Sequence, residues 1–153
     1  MFFADCKYKK VGTLRMSEEE EKGALTSIDH IVLTASDMDQ TISFYCDILG
    51  MELETLTPSD GTEKRWALKF GDCKINLHDK SSPYRPHAKN PISGAMDICF
   101  LSSTPLETWK NIFSKNNIKT EDGPVQKTGA SGPIISLYIR DPDLNLIEIS
   151  NKI

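Results

Sequence analysis

From Ser27 onward the chain runs through one order of elements twice, and this repetition restricts the available folds more than any other feature. "SIDHIVLTA" alternates apolar and polar residues and is rich in β-branched side chains, as a half-buried strand requires. "SDMDQTISFYCDILG" then places Met38, Ile42, Tyr45 and Leu49 on one stripe, with Phe44 and Ile48 beside it, which predicts a helix with one core-facing side. Ser36 with Asp39 three residues on reads as a capping box, and Gly50 supplies the stop. Three strand-like runs follow, "MELETLT", "EKRWALKFG" and "CKINLHD", divided by "PSDG" and a tight "GD".

The second half repeats that order. "GAMDICFLSS" is strand-like, and "TPLETWKNIFSKNN" predicts a helix with Thr104 as N-cap, Pro105 at the first helical position and Glu107 as capping-box partner. Leu106, Trp109, Ile112 and Phe113 form its buried stripe. "IKTEDGPVQ", "GPIISLYIRDPD" and "NLIEISN" give three more strands, so each half reads strand, helix, strand, strand, strand. "GASGP", Gly129 to Pro133, reads as an ordinary loop, although its glycines would also suit a mobile lid.

"KSSPYRPHAKNPISG" between the halves has the composition of a linker. The expected organisation is one domain over 26–153, with a first module at about 27–80, a linker at 81–93 and a second module at about 94–153. A length of 153 residues with 39% hydrophobic content sustains one sizeable core rather than two independent ones. Residues 1–25 lack a sustained apolar period and contain the run Glu18 to Glu21, so they read as a disordered tail. Four basic groups against Asp5 in the first sixteen residues also suit a mitochondrial presequence, a less favoured alternative to a cytoplasmic location.

Charge narrows the partners. The net charge of −4 comes without a basic stripe, which argues against nucleic acid. No apolar run approaches the length of a membrane span, so no membrane partner is expected. Cys6, Cys46, Cys73 and Cys99 lack zinc-ribbon or redox spacing and read as reduced thiols.

Four polar residues stand at matching places in the repeat. His30 and Asp97 lie in the first strands of the halves, His78 and Glu148 in the last; His30 to His78 spans 48 residues and Asp97 to Glu148 spans 51. Strand parity puts His30 with Val32, His78 with Asn76 and Lys74, Asp97 with Cys99, and Glu148 with Leu146 and Ser150. The opposite parity, Ile31 and Leu33, Ile75 and Leu77, Ile98 and Phe100, Ile147 and Ile149, is the face expected to pack on the helices. Two imidazoles and two carboxylates in a concave site suit one divalent ion such as Zn, Ni, Co, Mn or Fe. The bland alternatives are a hydrogen-bonded strand histidine, an edge-strand charge at Glu148 and a chain-turning role for Asp97; His87, in the linker, reads as ordinary.

"SIDHIVLTASDMDQTISFYCDILGMEL" resembles the opening strand and helix of the vicinal oxygen chelate superfamily, the glyoxalase and bleomycin-resistance group, and "IRDPDLNLIEIS" resembles its closing hairpin. The likeness covers about Ser27 to Ile153 and is closest to the small glyoxalase domain-containing proteins. It implies an α+β fold of paired βαβββ modules forming a cupped mixed sheet, commonly a dimer, with metal ligands at His30, His78, Asp97 and Glu148. Asp97 falls where many relatives have histidine, in a segment written here "DICF", and glyoxalase I-like members usually have the acid at the position of His78. The chain therefore looks swapped, and known acid–base roles do not transfer directly.

Three activities follow from this site. The first is a metal-dependent glyoxalase-like isomerase or lyase acting on a small vicinal-oxygen substrate, with the hemithioacetal of methylglyoxal and glutathione as the specific expectation. There Glu148 or Asp97 moves the proton. The second is an Fe(II) dioxygenase using two histidines and a carboxylate, in which Asp97 would occupy a position needed for oxygen. The third is a metal-free binding module that captures a small molecule through Trp66, Phe70 and Tyr138.

Overall fold

The computed structural model describes residues 23–59, 61 and 64–153. The readings made for residues 1–22 lie outside the described residues.

Both halves adopt the predicted order. β1 (His30–Ala35) leads into α1 (Met38–Ser43), which continues as a π-helical turn over Phe44–Ile48, and β2 (Glu52–Leu56), β3 (Arg65–Phe70) and β4 (Cys73–Asp79) follow. The second half comprises β5 (Asp97–Leu101), α2 (Leu106–Lys115), β6 (Asp122–Gly129), β7 (Gly132–Arg140) and β8 (Leu146–Lys152). No regular element occupies the linker between β4 and β5. The strands form two four-stranded mixed sheets, ordered β1-β4-β3-β2 and β5-β8-β7-β6. In each, the first strand pairs in parallel with the last because the helix makes the crossover, and hairpins join the remaining strands.

Neither predicted capping box forms. The α1 cap is Asp37, whose carboxylate accepts from the Gln40 backbone N–H at 3.0 Å. Ser36 turns away: its N–H and hydroxyl both donate to Asp143 in the β7–β8 turn, so tertiary contact outcompetes the local cap. At α2 the cap position is Pro105, with no side-chain cap bond. Thr104 is held through its own N–H, which donates to Ser102 Oγ at 3.1 Å. Gly50 does stop the first helix, at φ 75, where a side chain would be strained.

The inner faces are those that parity predicted. Leu33, Leu68, Ile75 and Leu77 of the first sheet share one core with Phe100, Leu137, Ile139, Ile147 and Ile149 of the second. Phe44, Tyr45, Leu106, Trp109 and Phe113 from the helical segments fill it. Phe70 and Phe100 meet edge-to-face at 5.2 Å across the two halves. Each fully buried aliphatic or aromatic side chain there contributes about 2 kcal/mol. A shared core of this kind makes the halves interdependent.

A polar tie adds to it. Asp141 is 3% exposed, yet accepts from Tyr45 Oη at 2.9 Å, from Asn145 Nδ2 at 2.8 Å and from the backbone N–H groups of Asp143 and Asn145 at 2.9 Å. Four donors make a buried carboxylate tolerable. The "DPDLN" segment is thus a folded turn that clasps the first module's helical segment.

Candidate functional site

The four predicted residues all lie on the outer faces, away from the core. In the first sheet the register pairs His30 with Lys74, Val32 with Asn76 and Thr34 with His78. In the second it pairs Asp97 with Leu146, Cys99 with Glu148 and Leu101 with Ser150. Glu148 therefore sits one diagonal step beyond the partner of Asp97, where side chains of adjacent strands still reach each other. The same step from His30 leads to Asn76. His78 corresponds to Ser150, and it lies four residues past His30's partner, roughly 13 Å along the strand. Side chains standing upright on a sheet keep most of that separation.

The structure thus brings Asp97 and Glu148 together on one outer face, and places His30 and Asn76 in the equivalent relation on the other. Among the described residues, no three His, Cys, Asp or Glu side chains lie close enough to share an ion within the chain. The reason is the shared core: inner faces that pack together leave their polar outer faces on separate surfaces. Asn76 went unmarked in the sequence because counting between polar residues ignores the register, which alone defines equivalent positions.

His30 is open to solvent, its side chain 45% exposed, and its Nδ1 lies 2.7 Å from Asp29 Oδ2. That hydrogen bond holds the Asp29 carboxyl below its usual range. His78 is 8% exposed, and Tyr84 of the linker meets its ring edge-on at 5.4 Å. Arg65 lies 4.6 Å above the Tyr84 ring, and the Tyr84 hydroxyl donates to the Lys64 carbonyl. Burial, then the charges of His87 and Arg65, push the His78 pKa down. Its Nδ1 is buried without a hydrogen-bond partner among the described residues.

The second sheet's outer face carries a concavity of about 500 Å³. It is lined by Glu148 and Cys99, by Leu101, Ile134 and Tyr138, and by Lys127. Beneath Glu148 runs a polar chain. Ser150 Oγ lies 3.3 Å from Glu148 Oε1, 2.8 Å from Ser136 Oγ and 3.3 Å from Cys99 Sγ, and both serines are fully buried. The Tyr138 phenol is hydrogen-bonded to Glu148; burial first, and then that bond and charge, push its pKa up to about 12. Burial also raises the Cys99 thiol, which removes it as a ready nucleophile.

Two minor expectations resolve here. "GASGP" is a tight hairpin in which Gly129 pairs with Gly132 around Ala130 and Ser131, and its turn forms the concavity's rim. Of the three aromatics named for ligand capture, only Tyr138 faces the concavity; Trp66 and Phe70 pack against the core. Ser150 was legible only as a parity mate of Glu148, and Ser136, on β7, carried no signal in the sequence.

Comparison with known proteins agrees with this architecture. Residues 27–149 match the Glyoxalase/Bleomycin resistance protein/Dioxygenase superfamily. The virulence protein STM3117 of Salmonella typhimurium is 41% identical over 155 residues, covering 100% of this chain and 99% of that protein. Its crystal structure superposes with a TM-score of 0.77 at 44% identity, covering 86% of this chain and 100% of that one. A glyoxalase domain-containing protein, RDO1 of Mycosarcoma maydis, is 41% identical over 87% of this chain and 72% of its own length. The crystal structure of a lactoylglutathione lyase from Agrobacterium tumefaciens gives a TM-score of 0.60 at 28% identity, covering 84% of this chain and 96% of that one. Two βαβββ halves on one core, with polar outer faces, are thus the form this fold takes here, and the chain belongs to the glyoxalase/bleomycin resistance/dioxygenase superfamily.

Proposed function

We propose that the chain is a metal-dependent, glyoxalase-like isomerase or lyase for a small substrate with vicinal oxygens, and that it works as a homodimer. One outer face of one copy supplies His30 with Asn76 or His78, and the complementary face of the second copy supplies Asp97 and Glu148. The observation that carries this reading is the matched register: Asp97 with Glu148, and His30 with Asn76, repeat one diagonal relation on two solvent-facing surfaces.

The donors fit a divalent ion chemically. An imidazole, two carboxylates and an amide or second imidazole are borderline to hard ligands, suited to Zn, Ni, Co, Mn or Fe. The buried, unpartnered Nδ1 keeps His78 in the donor set. When bound, such an ion polarises both substrate oxygens and stabilises the charge that grows on them.

The chain's own residues do the rest. Glu148 is the base: one carboxylate oxygen takes the proton from the hydroxyl-bearing carbon and returns it to the neighbouring carbonyl carbon, while the hydroxyl proton passes to the former carbonyl oxygen. Tyr138 and Ser150 hold that carboxylate in one orientation from two sides. Leu101 and Ile134 shield the reacting carbon from water. Asp97 is the second carboxylate and takes the proton role if Glu148 stays on the ion. The 28% identical lactoylglutathione lyase supports the hemithioacetal of methylglyoxal and glutathione as first substrate to test. A cytoplasmic location accords with this chemistry, and among the described residues no helix is long and apolar enough to cross a membrane.

The apolar walls of the 500 Å³ concavity favour a second reading, capture of a small molecule without chemistry. Elemental analysis with size-exclusion mass measurement separates the two. Near-stoichiometric metal in a dimer, lost in Glu148→Ala, supports the enzyme. A metal-free protein after reconstitution with nickel, iron, manganese and zinc points to the binding module. Appearance of lactoyl-thioester absorbance with loaded protein then fixes the substrate, and its absence rejects that substrate.

A further inference from the structure

The concavity contains a cation that the proposed reaction does not use. Lys127 lies on the same outer face as Glu148, and its Nζ stands 5.8 Å from the centre of the Tyr138 ring. Beyond that ring contact, no carboxylate among the described residues comes within ion-pairing distance of it. An ammonium parked on an aromatic face is held in place without being neutralised.

Its placement relative to Glu148 sets an order. Lys127 pairs with Ile134 on β7, and Glu148 pairs with Tyr138 on the other side of the same strand. Those two β7 residues are four apart, roughly 13 Å along the strand, so the extended lysine reaches back to bring its ammonium to the Tyr138 ring, whose phenol is bonded to Glu148. Between the two polar ends the wall is the Tyr138 ring with Leu101 and Ile134. One end holds the Glu148 carboxylate, the Tyr138 ring lies in the middle, and the other end holds an ammonium with no carboxylate beside it among the described residues. A ligand complementary to that order has an oxygenated head, an apolar body and an anionic tail.

We infer that the site takes a small carboxylate-bearing molecule, with its anionic tail on Lys127 and its apolar body over Tyr138, Leu101 and Ile134. The oxygenated head rests on the metal-dependent reading above; the anionic tail does not. Lys127 is a specificity-determining residue, and it selects against neutral analogues of the same shape by leaving its ammonium unpaired against them. A bulky tripeptide tail is not required by this geometry.

The test uses two probes of equal shape, 3-phenylpropionate and 3-phenylpropionamide, titrated calorimetrically into full-length protein stripped of metal and into metal-loaded protein. The wild type should bind the carboxylate about tenfold more tightly than the amide in both forms. Lys127→Gln should abolish that preference while leaving the amide's affinity unchanged, and Lys127→Arg should restore it. Equal binding of both probes, binding of neither, or a preference that survives in Lys127→Gln overturns the assignment. A preference seen only with metal loaded and retained in Lys127→Gln places the carboxylate on the ion, which overturns this inference and leaves the metal reading intact. Loss of metal binding with the Lys127-dependent preference intact does the reverse.

Discussion

Tyr45 donates a 2.9 Å hydrogen bond from its hydroxyl to Asp141 Oδ2, across 96 positions of sequence, with both residues almost sealed from water. The bond joins the helical segment of the first module to the final hairpin of the second. The halves are thereby tied by a polar clasp as well as by a shared core.

Tyr45→Phe removes a donor from a buried carboxylate without opening a cavity. The expected loss is about 1–3 kcal/mol, the cost of leaving a buried acceptor short of a partner. Urea unfolding of both proteins checks it: a lower midpoint at unchanged slope is the expected result, and coincident curves would remove the clasp from the account.

Gly123 occupies the bulge where β6 shifts register between Asp122 and Val125. Its φ is +99, and a Cβ there would lie 2.2 Å from the Ser136 carbonyl oxygen. Backbone cannot retreat as a flexible side-chain tip can, so Gly123→Ala should cost about 3 kcal/mol or more. Ser136 belongs to the polar chain under Glu148, so metal affinity should fall with stability. Thermal unfolding together with metal titration tests both.

Asp37 caps α1, and its bond from the Gln40 N–H holds the carboxyl below 3.8. A folded pKa below the unfolded one means that the stabilisation is full above 3.8 and is lost as pH falls through the depressed folded value. Asp37→Ala should therefore lower the urea midpoint at pH 7, with a deficit that shrinks in acid. A deficit that does not depend on pH would assign the effect to something other than the charged cap.

Asn76 and His78 compete for one place in the proposed ligand set. If the register decides, Asn76→Ala weakens metal binding by about tenfold or more, and His78→Ala leaves the stoichiometry unchanged while lowering stability through lost packing on Tyr84. The opposite pattern in a competition titration would return the role to His78.

Much of the fold was legible in the sequence because it rests on short-range physics. Period-two alternation marked the strands, a stripe at helical spacing marked the helices, Gly50 marked the first helix's end, and the glycines of "GASGP" marked a loop that the structure shows to be a hairpin. Strand parity sorted core residues such as Leu33 and Ile147 from outward ones such as His30 and Glu148. Capping was misread where it depended on distant partners: Ser36 had a local role available, and Asp143, 107 positions away, took it.

The site divides along the same line. Residue type and parity marked His30, Asp97 and Glu148 as outward polar residues on strands. Register between β1 and β4, which no single strand encodes, made Asn76 the equivalent of Glu148 and set His78 a further step away. The tertiary structure also decided that the two polar faces separate within one chain, because burying both inner faces in a single core stabilises the fold and leaves the outer faces to solvent.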